Sequence, residues 1–204
     1  MGIPPPDQLN APICTRAIAS ESDSVQQPLV LLNPTIDGIV TDFFEWRGAG
    51  NINTQPPLGA MWKADGLFTA IQFGWTSNQL VMRFDPDEAS TTRQGLDVDI
   101  RLQAPQCTFR LTFALASPGP EAFLLSRQTQ ADAWQEIGSY RSIKTHTILE
   151  LAVPWKELCL EQGNTIQMSI IVREHGLEVA RYPGHHPAVL TVPGPEFEAE
   201  LWRV

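Results

Sequence analysis

The sequence LDVDIRLQAPQCTFRLTFAL, residues 96–115, shows most directly how this chain folds. Its apolar residues stand at every second position on both sides of the turn-forming residues 104–106. Successive side chains of a strand point to opposite faces, so this spacing predicts two antiparallel strands, each with one apolar face. The stretch therefore predicts a β-hairpin that covers one side of a hydrophobic core.

The same period of two recurs through the rest of the chain. It is clear in residues 71–75 and 80–84, which flank a polar turn at 76–78. Further strands are predicted at residues 123–125, 134–140, 148–153, 166–172, 177–182 and 197–202. No helical pattern exceeds two turns, and Pro154 is placed to open one such turn. Eight to eleven short strands predict an all-β fold, an antiparallel two-sheet β-sandwich with one or two short helical turns.

Composition divides the chain into two parts. Residues 1–33 begin with a proline run and include SESDS, which predicts a Pro-rich N-terminal arm or linker. Within it, residues 29–32 (LVLL) are apolar enough for a short edge strand. Residues 34–204 are predicted to form the β-sandwich domain, because a chain of this length supports one sizeable core.

The net charge of −9, without a Lys/Arg cluster, argues against nucleic acid or an anionic membrane as a partner. No apolar run approaches the roughly 20 residues of a membrane span. The N-terminus also lacks the basic and apolar regions of a signal peptide. Cys14, Cys107 and Cys159 are odd in number and widely spaced, which predicts free thiols in a reducing compartment. These observations together predict a cytoplasmic protein.

One stretch departs from the strand pattern: IDGIVTDFFEWRGAGNINTQPPLGAMW, residues 36–62. It gathers four aromatic residues around glycine turns and a proline pair, with no period of two. Asp42 and Glu45 have the spacing of a capping box, so a single helical turn is expected there at most. Alternation alone does not explain these aromatic residues.

Several short motifs in and beyond this stretch resemble a known domain. They are IDG, FEWRGAG and GAMW, followed by LELAVPWKEL at 149–158, GNTIQMSIIV at 163–172 and FEAELWRV at 197–204. In this order they resemble the C-terminal β-domain associated with glycoside hydrolase family 57 proteins. That domain is similar to family 9 carbohydrate-binding modules and to DOMON-like sandwiches. The resemblance covers residues 34–204 and implies an accessory domain of an α-glucan-acting hydrolase system.

Catalysis is not expected. The chain contains no GxSxG, HExxH, Walker or GxGxxG motif. Asp97 and Asp99 alternate on a wet strand face, where solvated charge is the ordinary role. The hydrolases of the resemblance carry their catalytic carboxylates on a separate barrel domain, so their activity does not extend to this chain.

A sugar site requires a flat aromatic ring and polar groups at its rim. Trp75 and Trp202 lie in phase with apolar neighbours and are predicted core residues, while Trp155 is predicted to cap the sandwich. The irregular stretch supplies the candidate ligand-binding residues: Phe43, Phe44, Trp46, Arg47, Asn51 and Trp62. The alternative is that this stretch folds back as a plug of the core.

No cofactor or metal is expected, with one weak exception. Asp85 and Asp87 flank Pro86 and offer carboxylates to a structural calcium ion, although an ordinary surface turn looks the same.

Two functions remain open. The first is a non-catalytic accessory module that binds α-glucan through the aromatic residues of the irregular stretch. The second is a structural or protein-interaction domain that docks on a family 57 hydrolase catalytic domain without binding sugar. A groove with a polar rim favours the first function, and a broad flat apolar patch favours the second.

Overall fold

The computed structural model describes residues 25–42, 44–54, 66–115, 119–184, 186–194 and 197. Within these residues, two antiparallel sheets form the all-β sandwich that the alternating pattern predicts. The six-stranded sheet has the order β1-β2-β3-β4-β10-β9. Its strands are β1 (Val25–Gln26), β2 (Gly50–Ile52), β3 (Phe68–Trp75), β4 (Gln79–Pro86), β9 (Ile143–Thr145) and β10 (Leu149–Pro154).

The second sheet has the order β12-β11-β5-β6-β7-β8, and β13 pairs with β11 beside β12. Its strands are β5 (Leu96–Gln103), β6 (Thr108–Leu115), β7 (Phe123–Gln128), β8 (Trp134–Tyr140), β11 (Thr165–Glu174), β12 (Leu177–Tyr182) and β13 (Ala188–Thr191). We call it the seven-stranded sheet. All of these pairs are antiparallel.

The hairpin of residues 96–115 is confirmed. Leu96 pairs with Leu115 at one end of β5 and β6, and Gln103 pairs with Thr108 at the turn. The apolar side chains of both strands face the other sheet and are buried in one continuous core. Each buried residue of this kind contributes about 1.5–3 kcal/mol of transfer free energy, which explains why the alternation specifies the fold.

Short helical turns close the sandwich at two places. One is α1 (Glu88–Thr92), and the other is a 3-10 turn at Trp155–Leu158, which follows Pro154 as predicted. Leu158 is buried, and the Trp155 ring meets the core residue Trp75 edge-on at a centroid distance of 5.9 Å. Trp155 therefore caps the core.

The sandwich begins earlier than predicted. Val25 pairs with Ile52, so β1 is an edge strand, and Leu32 is buried. Residues 25–33 therefore belong to the sandwich rather than to the arm. The LVLL segment contributes no strand, because Leu31 makes only an isolated bridge with Trp75. Residues 1–24, and the closing strand predicted at 197–202 apart from residue 197, lie outside the described residues.

Within the part of the chain described above, no helix has the length and apolar character needed to cross a membrane.

Candidate functional site

The outer face of the six-stranded sheet is covered by residues 28–42 and 44–49, which we call the covering segment. Neighbours of Val81 and Ala152 on β4 and β10 point into the core, so these two side chains point outward. They are nevertheless buried, because they pack against Leu32 and Trp46 of the covering segment. Gly74 makes this close approach possible, since a Cβ there would collide with the Leu32 side chain.

A buried carboxylate ties the covering segment to the sheet. Glu150 of β10 is 0% exposed. Its Oε1 accepts a hydrogen bond of 2.8 Å from Trp46 Nε1. Its Oε2 accepts hydrogen bonds from the backbone N–H groups of Gly38 at 2.9 Å and Asp37 at 3.2 Å. Gly38 has φ 81°, a left-handed conformation that glycine adopts without steric cost.

This arrangement decides the role of Trp46. Its ring is only 5% exposed, and its indole N–H is bound to Glu150. A stacking platform must present a ring face to solvent, so the prediction that Trp46 stacks on sugar is wrong. The alternative of a core plug describes this residue, because the buried glutamate supplies the acceptor that a buried indole requires.

The other predicted sugar-site residues are placed differently. Phe44 is 62% exposed, and the exposed Arg47 guanidinium lies 5.6 Å from its ring centroid. Asn51 is half-buried in β2. Phe43 and Trp62 lie outside the described residues. Of the predicted set, Phe44 and Arg47 face solvent in the described structure, and their role in binding stays a prediction.

Burial raises the pKa of Glu150 above the usual value of 4.5, although the hydrogen bonds from Gly38, Trp46 and Asp37 oppose this shift. Between pH 4.5 and its raised pKa, this carboxyl binds more protons in the folded protein than in the unfolded protein. Its contribution to stability therefore falls as the pH rises through this range. We expect the stability advantage of the wild type over Glu150→Gln to be largest near about pH 4 and to shrink toward about pH 7. Urea unfolding of both proteins across this range measures it. A difference that grows with pH would contradict the raised pKa.

The outer face of the seven-stranded sheet presents a different surface. Residues paired across antiparallel strands share a face, so the register places polar side chains in rows. One row contains Gln167, Gln103, Thr108, Gln128 and Trp134. The strand register also places Ser169, Arg101, Arg110, Ser126 and Glu136 in the adjacent row.

A groove of about 330 Å³ lies on this face. Its described lining residues come from β5, β6, β7, β8, β11 and β12 and from the segment before β13. They are Arg101, Gln103, Thr108, Gln128, Trp134, Gln167, Ser169, Arg181 and Pro187. The groove therefore combines one large aromatic ring with amides, hydroxyls and guanidinium groups.

Trp134 is held in place by an arginine. The Arg110 guanidinium lies 4.7 Å from the Trp134 ring centroid, within the range of a cation–π contact. The Nε atoms of Arg110 and of Arg101 are both buried without a hydrogen-bond partner in the described structure. Beside them, Asp99 is 2% exposed and accepts a hydrogen bond of 2.8 Å from Arg173 Nη1. Asp99 Oδ1 is likewise buried without a hydrogen-bond partner in the described structure, so this buried cluster contains both unpaired donors and an unpaired acceptor.

The weak calcium candidate has an internal partner. Arg83 donates two hydrogen bonds to Asp85, at 2.7 and 2.8 Å, which neutralises that carboxylate. Asp87 precedes the first residue of α1. Among the described residues, no group of three His, Cys, Asp or Glu side chains is arranged to hold a metal ion. Cys107 and Cys159 are free, and Cys14 lies outside the described residues.

Sequence reasoning missed Trp134 and its groove. The strand at 134–140 was predicted, but its neighbours in the sheet were not, so nothing placed Trp134 beside Gln128 and Arg110. One signal was available in the sequence of β6. Thr108 and Arg110 alternate with core residues, which indicates that β6 has a polar outer face.

No protein-family model matches the chain, and no curated protein matches it. Among solved structures, the chain is similar to a proposed carbohydrate-binding protein from Bacteroides uniformis, with 9% identity and a TM-score of 0.42. The match covers 60% of this chain and 77% of the other. This similarity is too low to assign a shared fold or function, so the family 57 resemblance stays a prediction.

Proposed function

We propose that this chain is a non-catalytic saccharide-binding module and that its binding surface is the groove on the seven-stranded sheet. The observation that carries the proposal is Trp134, a half-exposed indole that lines a groove whose other described walls are mostly amides, hydroxyls and guanidinium groups. A ring face stacks on the apolar face of a pyranose, and the polar groups bond its hydroxyls.

The row of glutamines across the sheet indicates a ligand that is longer than one sugar unit. Gln167, Gln103 and Gln128 lie on β11, β5 and β7, and each amide offers both donors and an acceptor. From β11 to β8 the row crosses four strand spacings of about 4.8 Å, roughly 19 Å in total. Such a span suits an oligosaccharide better than a single small molecule.

The lining also supports binding without hydrolysis. Glycoside hydrolysis uses two carboxyl groups on opposite sides of the scissile bond. The described residues that line the groove include no carboxylate and no histidine. α-Glucan and a family 57 catalytic domain are the ligand and partner that the sequence resemblance implies, and α-glucan is therefore the first neutral ligand to test.

We expect Trp134→Ala to weaken saccharide binding roughly 5- to 150-fold, because a stacked aromatic contributes about 1–3 kcal/mol on the scale of base stacking. The melting temperature should fall by only a few degrees, since Trp134 begins an edge strand. Isothermal titration calorimetry with maltodextrins and acidic oligosaccharides measures the affinity, and a thermal melt measures the stability.

Phe44→Ala is the matched control. It removes an exposed aromatic ring from the covering segment, on the opposite outer face of the sandwich, and should leave the affinity unchanged. A loss of affinity in Phe44→Ala but not in Trp134→Ala would move the site to the irregular stretch. Failure of every saccharide to bind the wild type would overturn the proposed function.

A second candidate function is favoured by the covering segment itself. Five of its apolar side chains are exposed: Leu29, Val30, Ile39, Val40 and Phe44. Exposed apolar residues concentrated in one segment favour docking on another protein. Sedimentation of the chain with a family 57 catalytic domain tests this candidate, and Ile39→Glu should then weaken the complex without changing saccharide binding.

A further inference from the structure

Two arginines of the groove face stand directly opposite each other. Arg101 of β5 pairs with Arg110 of β6 in the strand register, so their side chains leave the sheet side by side. Like charges directly opposite on a sheet are destabilising unless something neutralises them. The charges around this pair therefore indicate what kind of ligand the groove accepts.

Among the described residues, a single shared carboxylate lies within 4.0 Å of either of the two arginines. Asp99 Oδ2 accepts Arg173 Nη1 at 2.8 Å and lies 3.6 Å from Arg101 Nη2, so one carboxylate is shared by two guanidinium groups. Arg110 has no carboxylate within 4.0 Å in the described structure and lies over the Trp134 ring instead. Asp97, directly opposite Arg173 in the register, is a second carboxylate on this face, and it lies two residues beyond Asp99 on β5, away from Arg101 and Arg110.

The remaining charged groups of this face make no ion pair with Arg101 or Arg110 in the described structure. Arg181 of β12 is paired with Glu178 at 2.8 Å. Glu136 lies two residues from Trp134 on the same face of β8, and the Arg110 guanidinium that covers the Trp134 ring has no carboxylate within 4.0 Å. Among the described residues that line the groove, the charged side chains are Arg101 and Arg181, and both are cationic.

This local charge runs against the charge of the whole chain. The protein has 14 Lys and Arg residues against 23 Asp and Glu residues, a net charge of −9. Charges more than about 10 Å away are screened at ordinary ionic strength, so a ligand in the groove interacts mainly with the charges of this face. The described side chains that touch the groove are cationic where they are charged, although the protein as a whole is acidic.

Hydrogen bonding supports the same conclusion. The buried Nε atoms of Arg101 and Arg110 have no partner in the described structure. A guanidinium presents its N–H groups in a planar fork that matches a carboxylate. A carboxylate bound between the two arginines would reduce their repulsion through the outer N–H groups of the guanidinium forks, because the Nε atoms are buried, while Trp134 and the glutamines hold the sugar ring.

We infer that the groove selects saccharides that carry carboxylate groups, namely oligomers of uronic acids, over neutral saccharides of the same size. The inference rests on the proposed function and names its ligand class.

The test compares a uronic-acid oligomer with its methyl ester, which keeps the sugar and removes the charge. Calorimetry on the full chain uses oligomers of galacturonate, mannuronate and glucuronate of equal length. We expect at least one acid form to bind about tenfold or more tightly than its ester at low salt, with the difference shrinking as the salt rises. Equal affinity for acid and ester in every pair would overturn the inference.

Two variants locate the effect. Arg101→Gln should abolish most of the preference for the acid, so that acid and ester bind with similar affinity, and Arg101→Lys should retain part of the preference. Arg141→Gln is the control, because Arg141 is exposed and follows the far end of β8, about 20 Å along the strand from Trp134. A preference that survives Arg101→Gln would place the anion elsewhere and overturn the inference.

The outcomes separate this inference from the proposed function. If neutral saccharides bind in a manner that depends on Trp134 and acids bind no better, the function holds and the ligand class is wrong. If neither neutral nor acidic saccharides bind, the function fails and the inference fails with it.

Discussion

Glu150→Ala is expected to lower the free energy of unfolding by at least about 3 kcal/mol, because several buried neutral donors lose their acceptor at once. The substitution removes the acceptor of three buried donors, which are the Trp46 indole N–H and the backbone N–H groups of Asp37 and Gly38. Each unsatisfied buried donor costs about 1–3 kcal/mol. It also detaches the covering segment from β10, so Val81 and Ala152 lose part of their cover.

Urea unfolding followed by tryptophan fluorescence measures this change. Small domains are stable by only about 5–15 kcal/mol, so a large shift of the midpoint is expected. Glu178→Ala is the control: this glutamate is exposed, its ion pair with Arg181 lies on the surface, and its removal should cost less than about 1 kcal/mol. Equal effects of the two substitutions would show that the Glu150 hydrogen bonds contribute nothing to stability.

Trp46→Ala should cost about 3–5 kcal/mol, as deletions of large buried side chains do. The ring fills the space between the covering segment and the outer faces of β4 and β10, so its removal leaves a cavity and an unpaired Glu150 Oε1. Trp46→Phe keeps most of the apolar volume and removes the hydrogen bond, so its cost should be smaller, about 1–3 kcal/mol.

Phe44→Ala controls for the loss of an aromatic ring, because Phe44 is two residues away and largely exposed. Its effect on stability should stay within about 0.5 kcal/mol. The free energies of Trp46→Phe and Glu150→Gln should not add, because the two side chains share a hydrogen bond, and a coupling of about 0.5–3 kcal/mol is expected. A Trp46→Ala protein of unchanged stability that loses saccharide binding would instead restore the sugar-platform prediction.

These predictions separate the two outer faces of the sandwich. On the face beneath the covering segment Trp46 is buried, whereas Trp134 lines the groove on the opposite face, where the proposed ligand would bind. A saccharide titration and a urea unfolding curve of the Trp46→Phe and Trp134→Ala proteins distinguish the roles, since the first variant should lose stability and the second should lose affinity.

The strands of this protein follow from its sequence because their cause is local. The alternation at residues 96–115 shows which side chains are buried. Two strands joined by a short turn pair with each other, so their pairing also follows from the local sequence. The same reasoning found the helical turn after Pro154, since a proline opens such a turn without losing a hydrogen bond.

The two sites depended on contacts that no local pattern contains. Glu150 lies in a strand motif whose sequence reads as an ordinary polar position, yet it is fully buried because Trp46, 104 residues earlier, donates to it. Bringing two such distant residues together has an entropic cost, and contacts throughout the folded chain offset it. A short stretch of sequence contains no information about those contacts. Trp46 was consequently assigned to a binding surface.

The sequence by itself determined the all-β class, most strand positions and the polar outer face of β5 and β6, because alternation records burial strand by strand. Tertiary structure alone decided the order of the strands, and with it which polar residues meet. Only the pairing of β5 with β11 and of β7 with β8 brings Gln167, Gln103 and Trp134 into one row. Side chains that form a groove are neighbours across strands, and hydrogen bonds between strands, rather than proximity along the chain, place them together.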